Sequence, residues 1–202
     1  MKNVKMLSLL ISLALVATMN VFGQGPITWK VDGGHSKVTG TVTHMGINDV
    51  ECEFKKFDGV ITSDDEDFKN LNVLFTVDVS SISTGNEMRD KHVKSDDFFN
   101  AEKFPNLTFK SKSFKKMDGK KYILIGDLTI RDVTKQVELA VVYNGKMNDN
   151  WGNTRAGFKV AGKINRQDYK LKWNDKTGAG DAVVSDEINF LCNFELTKPK
   201  AK

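Results

Sequence analysis

Three histidines, two cysteines and three arginine–aspartate pairings are the side chains of this 202-residue sequence with the most to say about chemistry. A metal centre needs several ligands on converging faces. His35 and His44 stand nine apart, so on one unbroken strand they point to opposite faces, and His92 falls in a distant connection. Covalent catalysis needs a nucleophile beside its base, and no Ser-His-Asp spacing or Cys-His neighbourhood offers one. Glu51 and Glu53 have the spacing of a carboxylate pair on one strand face, but the lysines around them mark a solvated side. No catalytic residue, metal site or cofactor is therefore expected. Arg89-Asp90, Arg131-Asp132 and Arg166 with Asp168 recur near element ends. Adjacent residues do not face one another, so each arginine should reach a carboxylate or backbone carbonyl elsewhere and fix a loop.

The redox setting of Cys52 and Cys192 depends on compartment. Lys2 and Lys5 precede an almost wholly apolar run from Met6 to Met19, and Val21-Phe22-Gly23 suits cleavage before Gln24. This is the layout of an export signal, and the run is shorter than the ~20 residues that span a bilayer. Residues 1–23 are thus read as a cleaved signal peptide and 24–202 as one exported domain, periplasmic or secreted. In an oxidising compartment the cysteines either pair or remain two buried thiols, each on the apolar phase of its strand. Net charge is +4 for the whole chain, and about +2 once Lys2 and Lys5 leave with the signal. Acidic and basic residues are mixed throughout, without a basic stripe interleaved with aromatics, so nucleic acid is not an expected partner.

The elements that must position these residues are strands. Leu71, Val73, Phe75, Val77 and Val79 share one face while Asn72, Thr76, Asp78 and Ser80 take the other, and Tyr122 to Ile130, Val137 to Tyr143, Phe158 to Ile164 and Ile188 to Leu196 repeat the period of two. Gly, Asn and Asp clusters bound the runs. Near Phe54 the phase slips: Val50, Cys52 and Phe54 are in step, whereas Phe57, Gly59 and Ile61 take the other parity. A bulge at Lys55-Lys56 would restore one inward face. The pattern predicts an all-β chain of about eight antiparallel strands in an up-and-down barrel. One connection, Ser80 to Ser111, is highly charged yet carries Phe98, Phe99 and Phe104. Those aromatics predict a docked segment with a short helix over Asn86 to Val93, a flap over one barrel end.

Several fragments occur in a telling order. They are Trp29, Asp32 and His35-Ser36; His44-Met45-Gly46; Phe57-Asp58-Gly59; Ser81-Ile82-Ser83-Thr84; Arg89-Asp90; Asp97-Phe98-Phe99; Phe104-Pro105; Gly126-Asp127-Leu128-Thr129-Ile130-Arg131; and Ile164-Asn165-Arg166 with Asp168. Together they resemble the YceI-like family over roughly Trp29 to Leu196. The resemblance implies an eight-stranded lipocalin-like barrel that holds a polyisoprenoid or other long-chain lipid and has no catalytic residues. Three positions depart from the family pattern. Gly40 stands where a large apolar residue is usual, and Cys52 and Asp132 each replace a glycine. An inward Gly40 would add volume to the interior.

The expected ligand-binding residues are Val38, Val42, Phe54, Phe75, Val77, Phe98, Phe99, Phe109, Leu124, Leu128, Val141, Phe158, Val160 and Phe190, and His44 could meet a head group. The expected partner is a long-chain isoprenoid or other amphiphilic lipid; transient membrane contact and a homodimer stay open. The rival expectation is an envelope interaction protein, a filled barrel with a docking rim.

Overall fold

The computed structural model describes residues 25–200; the signal peptide expected over 1–23 lies outside them. The strands are β1 (Ile27–Val31), β2 (Lys37–His44), β3 (Asn48–Phe54), β4 (Phe57–Ser63), β5 (Asn72–Asp78), β6 (Ile82–Ser83), β7 (Asn106–Lys116), β8 (Lys121–Ile130), β9 (Val133–Asn148), β10 (Thr154–Asn165) and β11 (Glu187–Lys198). Among the described residues one α-helix, α1, spans Glu87–Lys94. Hydrogen-bonded neighbours run β1-β4-β5-β7-β8-β9-β10-β11, and β11 returns to β1 through Lys30↔Thr197 and Val31↔Leu196. Every pairing is antiparallel. The remaining short strands are not additional staves: β1–β2, β3–β4 and β5–β6 are three staves, each broken once, so the ring is an eight-stranded up-and-down barrel.

Two of those breaks lie side by side. Lys55 and Lys56 separate β3 from β4, where the phase slip predicts a bulge, and both lysines are exposed while Phe54 and Ile61 are buried. The neighbouring break, Asp32 to Ser36, lets β11 pair with β2 along its first half and with β1 at its end. The Asp32 N–H donates to the Glu195 carbonyl at 2.8 Å. Outside the wall, the Arg155 guanidinium lies 2.8 Å from Asp32, 2.5 Å from Glu195 and 2.9 Å from Asp149. Arg155 first, then His35, holds the Asp32 carboxyl down at about 2. Burial opposes ionisation of Asp149, but Asn153 and Arg155 still hold it at about 2.

One end of the barrel is filled by aromatics. Trp29 is wholly buried and donates its indole N–H to Ser63 Oγ at 3.0 Å. Phe68, from the acidic loop between β4 and β5, packs with Trp29 at 4.8 Å, Phe158 at 4.9 Å and Tyr143 at 5.6 Å between ring centroids. Lys146 and Lys198 take the Glu66 carboxylate and keep this loop folded inward. At the opposite end α1 begins where the Asn86 side chain accepts the Arg89 N–H, as its N-cap. The long connection from β10 to β11 is stitched to itself by Arg166, buried to 1% exposure. Arg166 donates to the carbonyls of Leu171, Trp173, Val184 and Ser185 and pairs with Asp186.

Two outcomes follow. Phe68→Ala removes a ring held by three others and should cost about 3–5 kcal/mol in chemical denaturation. The depressed carboxyls of Asp32 and Asp149 contribute stability that is complete above about pH 4 and is lost as pH falls towards 2. Arg155→Met should therefore flatten the acid limb of a stability-versus-pH curve; an unchanged slope would remove Arg155 from the seam's energetics.

Candidate functional site

The inward face of the barrel encloses a cavity of about 430 Å³, within the ~300–1,000 Å³ usual for small-molecule sites. The period-two pattern places its wall, because every second residue of each stave points inward. Val38 and Val42 come from β2, Phe54 from β3, Phe75 and Val77 from β5, and Phe109 from β7. Leu124 and Leu128 come from β8, Val141 from β9, Phe158 and Val160 from β10, and Phe190 from β11. Phe98 and Phe99 reach the same cavity from the β6–β7 connection, so all fourteen expected residues meet in one place. Ile61, Leu139, Phe194 and Leu196 share the inward parity and complete the wall. Leu171, Trp173, Val183 and Val184 also line it, from the β10–β11 connection, where no periodic signal marks them.

At two glycines of the wall an aromatic ring fills the place of a β-carbon. A Cβ at Gly162 would sit 2.5 Å from Phe190 Cζ, and one at Gly126 would collide with the Phe109 ring. Each ring thus sits closer to the neighbouring strand than any other residue there would allow, and both still border the cavity. Gly40 does face inward, but its cross-strand partner is Cys52, whose Sγ would lie 3.2 Å from a Cβ at Gly40. The Cys52 thiol thus takes up part of the volume that Gly40 leaves.

The cysteines do not form a disulfide. Both thiols are free, and β2 lies between their strands. Two strand spacings come to about 9.6 Å, beyond the Cα separation that a disulfide bridges. Burial pushes the Cys52 thiol up to about 11 and the Cys192 thiol up to about 12, so both act as small apolar wall residues.

The cover over the α1 end is held by arginine, though not by Arg89. Arg89 donates to Thr84 within its own segment. Arg131 instead donates to the carbonyls of Asp96, Phe98 and Lys170, within 3.0 Å, and pairs with the Asp96 carboxylate at 2.6 Å. It thereby ties both connections to the turn between β8 and β9. Beneath it Phe98 packs on Trp173 and His92, and Phe99 packs edge-on to Phe54. Phe104, expected in the flap, lies off the cavity, where the Arg131 guanidinium sits 5.4 Å from its ring centroid.

Polar wall groups gather at this covered end. His44, Thr84, Arg89, His92 and Arg166 border the cavity, and His92 bonds to Asp97 at 2.9 Å. The stave carrying His35 and His44 is not unbroken: His35 lies in the β1–β2 break, bonded to Asp32 at 3.1 Å. Asp32, His35 and Glu195 are close enough to suggest a cation site. Arg155 already donates to the same two carboxylates and supplies the positive charge there. Glu51 and Glu53 take Lys37 and Lys55 on the outer face.

The comparisons agree with this geometry. The YceI-like domain family model matches residues 29–196. Protein YceI of Escherichia coli is 38% identical over 174 residues, 85% of this chain and 87% of that protein. The crystal structure of BcnA from Burkholderia cenocepacia superposes with a TM-score of 0.68 at 26% identity, covering 84% of this chain and 99% of that one. A polyisoprenoid binding domain from Saccharophagus degradans, implicated in plant cell wall breakdown, has the same fold, with a TM-score of 0.61 at 14% identity over 86% of this chain and 99% of that one. By its sequence along nearly all of the barrel, this chain belongs to the YceI-like family.

Proposed function

We propose that this protein is a lipid carrier that sequesters one long isoprenoid or acyl chain inside the barrel. The observation that carries the reading is the hollow, almost wholly apolar interior, closed by aromatics at one end and by a docked cover at the other. Burying a chain there would contribute about 0.8 kcal/mol per methylene before ordering costs. The polyisoprenoid named for the Saccharophagus degradans relative supports the ligand class. The polar groups at the covered end suit a head group, with the tail running towards Trp29 and Phe68. The rival of a filled barrel acting only as a docking scaffold needs side chains where the cavity is. Binding rather than catalysis suits the wall, which offers no nucleophile beside a base. Residues 1–23 carry the pattern of an export signal, so the proposed workplace is the periplasm or the exterior.

Solvent extraction of the purified protein followed by mass spectrometry should release one lipid per chain. A protein that carries none and also ignores added polyprenols and fatty amides would sink the reading. Phe98→Ala should lower lipid retention by about tenfold, as expected for removing a covering ring, while leaving the far-ultraviolet spectrum unchanged. The raised thiols give an independent readout: at pH 8, Cys52 and Cys192 should alkylate far more slowly than a free cysteine, and lipid should slow Cys52 further. Equal rates in the loaded and stripped protein would place the ligand away from β3.

A further inference from the structure

We infer that the barrel end plugged by Trp29 and Phe68 docks on anionic lipid bilayers, through the tips of the β7–β8 and β9–β10 hairpins. No ligand passes through a plugged end, so docking there is independent of the carrier reading. β8 and β9 are neighbouring staves, and the turn that enters β8 and the turn that leaves β9 stand at this same end. Each hairpin holds large apolar side chains in water. Met117 is 56% exposed on the first, and Met147 and Trp151 are 69% and 76% exposed on the second. Tryptophan is a residue that bilayer interfaces favour.

Charge selects the partner. Lys115, Lys116, Lys120 and Lys121 flank Met117, all exposed, and none forms an ion pair among the described residues; Asp118 is the one carboxylate between them. Lys120 donates to the Asn144 carbonyl at 3.1 Å, which leaves its charge uncancelled. Beside Trp151, a Cβ at Gly152 would lie 3.0 Å from Lys200 Cδ, so a further lysine runs along the second tip. Most acids at this end are already matched. Glu66 takes Lys146 and Lys198, Asp67 takes Lys146, and Asp149 takes Arg155. Asp64 and Asp65 accept from Asn70 and from the Asp67 and Lys69 N–H groups of their own loop. With Asp118, they stand against Lys69, Lys115, Lys116, Lys120, Lys121 and Lys200, an excess of positive charge gathered on the β7–β8 hairpin.

Lysines on a free strand edge also deter the addition of another strand, and the β5–β7 ladder does end at Leu74↔Lys110. Lys121 guards no edge, because it opposes Val142 of β9 and its carbonyl accepts the Met117 N–H. At the cover end Ile47 and Met88 are exposed too, but Asp49, Glu87 and Asp90 offset Arg89, Lys91 and Lys94 there. Apolar tips collared by unpaired lysines answer both attractions of a negatively charged bilayer, apolar insertion and electrostatic pull. A barrel standing on these tips turns its cover away from the membrane.

Co-sedimentation of the full chain with vesicles of equimolar phosphatidylglycerol and phosphatidylcholine tests the surface. Binding is expected, weakened by salt and lost on pure phosphatidylcholine. Lys120→Glu with Lys121→Glu should lower the bound fraction at least about tenfold, while Ile47→Ser with Met88→Ser at the cover end should leave it unchanged. Tryptophan emission of the wild-type protein should shift to the blue on anionic vesicles, and Trp151→Phe should abolish the shift. Protein stripped of lipid and protein given polyprenol should bind alike, which separates failure of docking from failure of the carrier reading. Wild-type protein left in the supernatant would overturn the inference, as would binding that the lysine reversals spare or that brings no shift in emission. Salt-sensitive binding to heparin without binding to anionic vesicles would also overturn it and assign the lysines to a soluble polyanion.

Discussion

Closure of the sheet is the constraint on which the rest of this structure depends. A strand edge left open presents unpaired N–H and C=O groups and invites association. Here β11 closes the ring along the β1–β2 stave, over five residue pairs with β2 and two with β1, the β1 stretch forming a short seam. Beyond it Asp32 bonds to the backbone of Glu195, and Arg155 binds both of their carboxylates. Because β11 must serve β2 and β1 in turn, the stave opposite it has to break, and its neighbour breaks beside it at Lys55-Lys56. The two breaks bend adjacent staves together, keeping the inward parity intact while the wall curves.

Once the ring is closed, the inner face has no second sheet to pack against and must fill itself or stay hollow. At the Trp29 end it fills itself, with rings in contact at centroid separations of about 5 Å. Further along, the Phe109 and Phe190 rings press against Gly126 and Gly162 of the neighbouring strands and border an open cavity. The difference between core and cavity is therefore local, made residue by residue on a uniform scaffold.

Much of this was legible in the sequence because parity is a short-range property. Alternation identifies the inward residues from Val38 to Phe190, the slip at Phe54 locates the bend, and the Asn86 cap begins the helix where the charged connection predicts one. What escapes depends on distant partners. Nothing around Cys52 and Cys192 reveals that β2 runs between them. Arg131 looks no different from Arg89, yet its acceptors lie 33 to 39 residues away in chain order. Phe68 is a lone aromatic in an acidic loop with φ of 63°, without any period to betray it as the plug. Phe104 shares the aromatic character of Phe98 and Phe99 but faces Arg131. Composition reports that an aromatic is docked, and only tertiary packing decides where.

The pairing of Gly40 with Cys52 bears on how the lumen gets its shape. Both residues face inward on adjacent strands, so the size of one sets the room left for the other while the outer face of the wall is untouched. The contour of the lumen at this height belongs to the couple, because the thiol stands where a side chain at Gly40 would have to go, and the space open to a guest is what the two leave between them.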